Sequence, residues 1–241
     1  MSANQQRVAS EQPGAIDWIL TRLRQQYGEP DRGQVLPPID ELVMTMLSQH
    51  TSDANTERAF ASLRSAFPDW NAVTLASDAQ IAAAIRGGGL DDVKAPRIRQ
   101  ALVDIRDWVG SFDLSFLADR PVGEAREWLM SLHGVGPKTA SCVLLFSLDR
   151  PAMPVDTHVH RVALRLRLVP QGTSAERAHE LIESIVPDEE MFAAHMLFIR
   201  HGRATCVARR PRCAACVLVQ CCPAAGTFLD DRQEQHDRQA H

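Results

Sequence analysis

Apolar residues recur along this chain every three to four positions, the spacing that places them on one face of a helix. The repeats predict helices over residues 16–27, 39–47, 60–67, 98–108, 122–132, 137–148, 157–168, 175–186 and 191–201. The segment Ser77-Asp-Ala-Gln80 resembles a capping box and predicts a short helix that stops at the glycines of 87–89. Strand-like alternation is nearly absent, so the pattern predicts an all-α fold.

The size and composition of the chain fit a folded protein of one large domain or two small ones. It has 241 residues, of which 45% are hydrophobic, enough to bury a real core. The first residues are polar and lack the apolar stretch of a secretory signal. No apolar run approaches the roughly 20 residues that span a bilayer. We therefore expect a soluble protein located in the cytoplasm.

The overall charge argues against a generic nucleic-acid binder, because such proteins are usually basic and this chain has a net charge of −4. The distribution of charge changes that picture. Residues 191–229 contain no Asp or Glu but carry five arginines. Local charge is what meets phosphates, so a basic face in this region fits a polyanionic partner. The five are Arg200, Arg203, Arg209, Arg210 and Arg212.

The segment from Leu132 to Thr139 reads Leu-His-Gly-Val-Gly-Pro-Lys-Thr and predicts a tight turn between two helices. Its two glycines permit backbone geometry that other residues avoid, and Pro137 suits the first position of a helix. Such a helix-hairpin-helix presents backbone N–H groups to a phosphate. Lys138 would lie in the first helical turn, where the helix dipole disfavours its charged form and favours a nucleophilic amine. The alternative is an ordinary turn followed by a solvated lysine.

Asp156 follows Pro154 and precedes the helix expected over 157–168. Its obvious structural role is that of a helix N-cap. A capping carboxylate is also held rigidly, so the same side chain can stabilise positive charge that develops on a sugar.

Five of the six cysteines fall between Cys206 and Cys222, and such clustering in an intracellular chain favours metal ligation over disulfides. The spacing Cys206-x6-Cys213-x2-Cys216-x5-Cys222 supplies four thiolates. Four thiolates suit either tetrahedral zinc or an iron–sulfur cluster, and the spacing alone leaves the metal open. Cys221, beside Cys222, leaves the register of the last ligand open as well.

Four features together resemble the endonuclease III family of helix-hairpin-helix DNA glycosylases. They are the segment Leu132-His-Gly-Val-Gly-Pro-Lys-Thr-Ala140, the segment Val155-Asp-Thr-His158, the segment His201-Gly-Arg203 and the cysteine spacing. The resemblance spans roughly residues 15–224. It implies two lobes with a DNA cleft between them: a six-helix barrel with the hairpin over 34–150, and an iron–sulfur lobe formed by 14–33 with 151–224. Residues 1–13 and 225–241 would be a disordered N-terminus and a flexible C-terminal tail.

The resemblance also implies an activity: removal of oxidised pyrimidines from double-stranded DNA and nicking of abasic sites through a Schiff base and β-elimination. Lys138 would be the nucleophile and Asp156 the essential carboxylate, and the protein would act as a monomer. A [4Fe-4S] cluster would be held by Cys206, Cys213, Cys216 and Cys222, which leaves Cys221 out.

The implied DNA contacts fall in three groups. Side chains filling the gap left by the flipped base would come from Gln49 or His50 and from Leu90. The family's glutamine register falls on His50, with Gln49 one residue earlier, and Asp91 and Asp92 follow Leu90, where they would face phosphates unfavourably. The remaining contacts would be Gly134, Val135 and Gly136 of the hairpin, His158 and Arg161, and Arg209, Arg210 and Arg212 of the cysteine loop.

Three other readings remain open on the sequence. A mispair-specific adenine glycosylase shares this architecture but usually lacks a lysine at the position of Lys138. An iron–sulfur DNA-binding or electron-transfer module would retain the cluster with little or no turnover. A zinc-stabilised interaction domain would use the same four cysteines.

Overall fold

Helices are the regular secondary structure of the part that the structure describes, and no β-strand occurs there. The computed structural model describes residues 15–229. It confirms the all-α prediction. Within the same range, no helix combines the length and the apolar character needed to cross a membrane.

The described helices follow one another with short connections. In chain order they are α1 (Ala15–Tyr27), α2 (Pro38–Ser48), α3 (Asp53–Ala66), α4 (Trp70–Leu75), α5 (Asp78–Ala84), α6 (Asp91–Val109), α7 (Val122–Met130), α8 (Pro137–Cys142), α9 (Thr157–Leu166), α10 (Ala175–Glu183) and α11 (Met191–Ala204). Short 3₁₀ turns lie at Ser115–Asp119, Asp188–Glu190 and Cys213–Ala215, and a π-helical turn at Val143–Ser147 continues α8.

The chain divides into two compact units. The central unit is Gly33–Ala152, and the terminal unit combines Met1–Arg32 with Met153–His241. In the central unit, α6 packs on α4 and α5 while α2 packs on α3 and α8. Leu42, Leu63, Ile81, Ile98 and Leu102 are completely buried there. Removing these side chains from water is the main force that holds the unit together.

In the terminal unit, α11 packs on α9 and α1. Leu20 and Leu23 of α1 and Phe198 of α11 are buried in this unit. The side chain of Arg24 on α1 pairs with that of Glu190, which directly precedes α11. The N-terminal helix is therefore fixed to a segment more than 160 residues away in sequence.

Helix starts follow the local sequence closely. The capping box predicted at Ser77 is present: Ser77 Oγ accepts from Gln80 N, and Gln80 Oε1 accepts from Ser77 N. Prolines begin α2 and α8, where a missing N–H has no consequence. The unpredicted helix α4 begins at a cap as well, with Asp69 Oδ1 accepting from Ala72 N.

Several local expectations are wrong because tertiary packing overrides them. Trp108 ends the helix predicted over 98–108 and continues its apolar period, yet it is 54% exposed and makes an edge-type contact with the ring of Trp128. The helix expected over 137–148 changes after Cys142 into the π-helical turn. The C-terminal tail expected over 225–241 is partly structured, because residues 225–229 are helical and the Phe228 ring lies under the Arg165 guanidinium. The expectation of a disordered segment 1–13 lies outside the described residues.

We expect Ser77→Ala to lower the free energy of unfolding by about 1 kcal/mol, the usual effect of removing a helix N-cap. The loss arises because the first turn of α5 would lose the side-chain acceptor for Gln80 N. Chemical denaturation measures it. The control is Ser65→Ala, which removes a hydroxyl from an exposed position inside α3 and should leave stability unchanged or slightly higher. Equal effects of the two substitutions would contradict the assigned role of the cap.

Candidate active site and metal centre

The helix-hairpin-helix turn joins α7 to α8 in the central unit. Gly134 has a left-handed backbone with φ of +78°, and a Cβ there would lie 3.2 Å from Arg97 Cβ. Both facts require glycine at this position. Gly136 has an ordinary φ of −103° and caps α8, and a Cβ there would meet nothing within 4 Å. The open space beside Gly136 therefore allows a ligand to approach the backbone closely.

Lys138 is the second residue of α8, and its side chain is half-buried where α8 packs on α2. Burial raises the pKa of the Glu41 carboxyl group on α2, while the hydrogen bond from Thr45 Oγ1 (2.9 Å) and the charge of Lys138 lower it. Burial also raises the pKa of the Cys142 thiol to about 11, against the opposing effect of Lys138. The amine of Lys138 thus has a carboxyl group and a thiol as neighbours within its own unit.

Sequence reasoning missed Glu41. The available signal was its position, since Glu41 directly precedes the buried pair Leu42 and Val43. A half-buried carboxyl group needs compensation, which the hydrogen bond from Thr45 Oγ1 and the charge of Lys138 provide.

Asp156 caps α9, as its position in the sequence indicated. Its Oδ1 atom accepts hydrogen bonds from His158 N (2.8 Å) and Val159 N (2.7 Å). Both bonds fall on one oxygen, so within the described part of the chain Oδ2 stays available to a ligand. The carboxylate is held by two backbone donors and still has an acceptor to offer.

Arg161 of α9 links this helix to α11 and to the cysteine segment of the terminal unit. Its guanidinium donates to Cys206 O (2.8 Å), Gly202 O (2.8 Å) and His158 Nδ1 (3.0 Å). A Cβ at Gly202 would lie 2.8 Å from His158 Cβ, so α9 and α11 approach as closely as glycine permits. These bonds fasten α9 to α11 and to the first cysteine, and the DNA contact predicted for Arg161 stays a prediction.

The four cysteines of the predicted ligand set line one cavity of the terminal unit. Cys221 is not among the lining residues, and its thiol donates instead to Leu218 O (3.3 Å). None of the described cysteines forms a disulfide. The four lining residues are Cys206, Cys213, Cys216 and Cys222.

The chemistry of the cavity fits a group that binds several thiolates. Burial, together with the smaller effect of the neighbouring Cys206 and Cys216, raises the pKa of Cys222 to about 11. Cys206 Sγ accepts a hydrogen bond from Arg165 (3.3 Å). Burial raises the pKa of Cys216, and the hydrogen bond from Leu218 N to its Sγ (3.4 Å) opposes that shift. A bound metal would reverse the pKa shifts by supplying positive charge.

Within residues 15–229, no group of three or more His, Cys, Asp or Glu side chains is arranged to hold a single metal ion. A four-iron cluster makes a different geometric demand, because its four cysteines bind one body of several atoms rather than one ion. Four thiols around a shared cavity meet that demand.

Arg165 fixes the loop that connects the first two cysteines, and sequence reasoning missed it. Its guanidinium donates to Val207 O (2.8 Å) and Ala208 O (2.9 Å). The only signal was its position four residues after Arg161 on the same helix. The loop then presents three exposed arginines, as expected: Arg209, Arg210 and Arg212.

The two segments expected to fill the gap beside a flipped base lie against each other in the central unit. A Cβ at Gly89 would be 4.0 Å from His50 O. His50 and Leu90 both have left-handed backbones, with φ of +56° and +55°, and both side chains are exposed. Gln49, in contrast, caps the end of α2 and is half-buried.

Asp91 and Asp92 form the first turn of α6, where acidic side chains interact favourably with the helix dipole. Their presence next to Leu90 therefore has a structural reason.

Comparison with known proteins agrees with this geometry. The family model for HhH-GPD superfamily base excision DNA repair proteins matches residues 43–188. Endonuclease III of Haemophilus influenzae is 33% identical over 208 residues, covering 85% of this chain and 92% of that protein. An Arabidopsis thaliana relative named as a DNA glycosylase is 39% identical over 165 residues, but the chain spans only 56% of its length. Among solved structures, a non-covalent endonuclease III–DNA complex matches with a TM-score of 0.76 and 26% identity, over 89% of this chain and 97% of that one.

The hairpin, the helical architecture and the matched family model define the chain as a member of the HhH-GPD superfamily of base excision DNA repair proteins. Within that superfamily it belongs to the endonuclease III family of DNA glycosylases, on the strength of similarity to relatives whose length it nearly covers.

We expect Asp156→Asn to fold with almost the wild-type free energy of unfolding, because asparagine caps a helix about as well as aspartate. Asp156→Ala should lose about 1 kcal/mol, since His158 N and Val159 N would lose their acceptor. Urea denaturation of the two variants measures the difference. Equal destabilisation by both substitutions would mean that the negative charge, not the cap, holds the start of α9.

Proposed function

We propose that this protein removes oxidised pyrimidines from double-stranded DNA and then nicks the abasic site, with Lys138 as the covalent nucleophile. The observation that carries the proposal is the location of this amine. It lies two residues beyond the hairpin glycine Gly136, in the first turn of α8, where its charge acts on a half-buried carboxyl group and a buried thiol. Membership of the endonuclease III family supports the same reaction class.

The composition of the chain sharpens the assignment of Lys138, because the sequence contains only two lysines. The other one, Lys94, is 3% exposed, and its Nζ donates to two backbone carbonyl oxygens. Lys138 is therefore the lysine whose amine a sugar can reach. Apart from the α-amino group, no other amine of the chain can form a Schiff base.

The proposed reaction balances as follows. The flipped base leaves C1′ with the electrons of the glycosidic bond, and the neutral Lys138 amine forms a bond to that carbon. The amine loses one proton in this step, and the departing base takes up one. The sugar ring opens to give an imine between Nζ and C1′. Loss of a proton from C2′ then breaks the C3′–O bond and nicks the strand on the 3′ side. Water hydrolyses the imine and restores the lysine.

Asp156 is proposed to stabilise the positive charge that develops on the sugar as the base leaves. Two backbone N–H groups hold the carboxylate through Oδ1, which leaves Oδ2 to interact with the sugar. We also propose that Glu41 acts on the Lys138 amine within the central unit, because partial burial raises the pKa of this carboxyl group and makes it a stronger base.

We propose that Cys206, Cys213, Cys216 and Cys222 hold a [4Fe-4S] cluster in the terminal unit. The cluster would supply structure: it would tie the two ends of the cysteine loop together around the cavity that these residues line. Arg165 holds the middle of the loop through Val207 O and Ala208 O. The remaining residues of the loop then project their positive charge outward.

The proposed DNA interface combines three elements. The exposed Arg209, Arg210 and Arg212 would contact phosphates, although the protein as a whole is acidic. Backbone groups of Gly134, Val135 and Gly136 would contact a phosphate of the damaged strand. His50 and Leu90 would enter the gap left by the flipped base, with Gln49 beside them in the central unit. His158 and Arg161 of the terminal unit would also contact DNA. We propose that one copy of the chain binds one lesion.

Borohydride reduction should trap a covalent complex between the wild-type protein and a duplex that contains thymine glycol or an abasic site. Lys138→Gln should give no adduct, because the amine that forms the imine is gone. Digestion of the trapped complex should place the modification on the peptide that contains Lys138. Gel shift under denaturing conditions and mass spectrometry provide the two measurements.

Lys138→Arg serves as the matched control, because it keeps the positive charge but cannot form an imine. An adduct with either variant, or none with the wild-type protein, would contradict the mechanism.

Asp156→Asn should reduce base excision by about 10²–10³-fold, the range for removal of one preorganised electrostatic group, while the free energy of unfolding stays almost unchanged.

Iron and acid-labile sulfide analysis of anaerobically purified protein should give four of each per chain, the composition of a [4Fe-4S] cluster. Cys222→Ser should lose most of both elements, because this thiol lines the cavity. Cys221→Ser should retain both, because the Cys221 thiol turns away to Leu218 O. Zinc without sulfide in the wild-type protein, or equal losses in the two variants, would overturn the assignment.

A further inference from the structure

Lys94 is a buried cation that the proposed chemistry does not use. It lies on the apolar face of α6, one and two turns before the buried residues Ile98 and Leu102. Burial lowers its pKa, and the nearby charge of Asp91 opposes that shift. A charged group so deeply buried needs strong partners, since desolvation of an ammonium is expensive.

The partners of Lys94 are two backbone carbonyl oxygens from different parts of the chain. Nζ donates to Leu47 O (2.6 Å) and to Gly88 O (2.8 Å). Leu47 O belongs to the last turn of α2, where helix carbonyls have no partner within the helix. Gly88 O belongs to the connection between α5 and α6. One ammonium group thus joins the segments that lead into two loops.

Those two loops carry the exposed residues that face a damaged duplex in the proposed function. We call residues 49–52 the first wedge loop and residues 86–90 the second wedge loop. The first carries Gln49 and His50, and the second ends at Leu90. Gly88 packs so closely on α3 that a Cβ would lie 3.0 Å from Ala59 Cβ. The position of the second loop is therefore set by packing on one side and by Lys94 on the other.

Both loops hold a non-glycine residue in a left-handed conformation, at His50 and at Leu90. Such a backbone is unfavourable for an L-residue and persists only where surrounding contacts impose it. Leu90 is also 52% exposed, so its own side chain gains little from the conformation. The two left-handed conformations are therefore stabilised by contacts to the loop backbone. The hydrogen bonds from Lys94 to Leu47 O and Gly88 O are such contacts.

We propose that Lys94 is a positioning residue that holds the two wedge loops together as one two-sided wedge, and so controls entry into the gap beside a flipped base. The inference rests on the proposed function, because it takes His50 and Leu90 as the residues that enter the duplex. It assigns Lys94 to base flipping and lesion binding, separate from the covalent steps at Lys138.

The chemistry of lysine suits this position better than that of arginine. An ammonium group is compact and presents three donors in any direction, whereas a guanidinium is a flat fork. Two carbonyl oxygens that approach from different segments fit the first geometry. The positive charge also interacts favourably with the carboxyl end of the α2 dipole.

The experiment compares Lys94→Met with the wild-type protein on two substrates. Methionine keeps a long apolar chain in the buried space but leaves both carbonyl oxygens without a donor. We expect kcat/KM for excision of thymine glycol from a duplex to fall about 10- to 100-fold, the range expected when a buried charged donor is lost. Nicking of a preformed abasic site, which has no base to unstack or unpair, should fall at least about fivefold less. A 2-aminopurine opposite the lesion should show weaker unstacking fluorescence.

Arg150→Met is the matched control, because it removes another long cation that donates to a distant backbone carbonyl in the same unit, Arg120 O. It should change both activities equally and by little. A double-mutant cycle with Leu90→Ala tests whether Lys94 acts through the wedge. In the Leu90→Ala background, Lys94→Met should cost less than about threefold, since residues that act through one element are not additive.

The outcomes separate this inference from the proposed function. A wild-type protein that gives neither excision nor a trapped adduct overturns both. An active wild-type protein with additive effects of Lys94 and Leu90, or with equal losses on the two substrates, overturns only the role of Lys94. If Lys94→Met does not fold, Lys94→Gln, which keeps one donor, is measured in its place. Hydrogen exchange should then show lower amide protection in both wedge loops, and unchanged protection would overturn the inference.

Discussion

The functional loops of this protein depend on hydrogen bonds that cationic side chains donate to backbone carbonyl oxygens. Lys94 does so in the central unit, and Arg161 and Arg165 do so in the terminal unit. Loop carbonyls lack the regular partners of a helix, and a charged donor supplies a strong one. Each bond ties a loop to a helix that is already fixed by its core. The backbone next to exposed residues such as Leu90 and Arg209 is thus fixed by hydrogen bonds from these cationic side chains.

Several acidic residues and glycines also combine a structural role with a proposed chemical one. Asp156 caps α9 with one oxygen and keeps the other for the proposed chemistry. Glu41 packs on the interior side of α2 and interacts with Lys138. Gly134 and Gly202 stand where a side chain would collide with a neighbour, at the hairpin and at the contact between α9 and α11. Structural and proposed chemical roles thus fall on the same residues, which makes substitutions that separate them, such as Asp156→Asn, especially informative.

Much of the helical framework was predictable because its signals are local. Apolar periodicity located most of the long helices, Ser77 and Gln80 marked a capping box, and Asp156 marked the start of α9. The errors arose where distant contacts decide. Trp108 matches the apolar period of α6 but lies at the surface, and Phe228 belongs to a polar stretch but packs under Arg165.

The sequence by itself determined the helical class, the hairpin with its lysine and the spacing of the four cysteines, because each follows from residues close together in the chain. Only the tertiary structure decided which groups those elements meet. Lys94 bonds to a carbonyl 47 residues away, and Arg161 bonds to one 45 residues away. No local pattern encodes such partners. They exist because packing of the helices brings an unsatisfied carbonyl within reach of a buried cation, and both groups would be costly to leave unpaired.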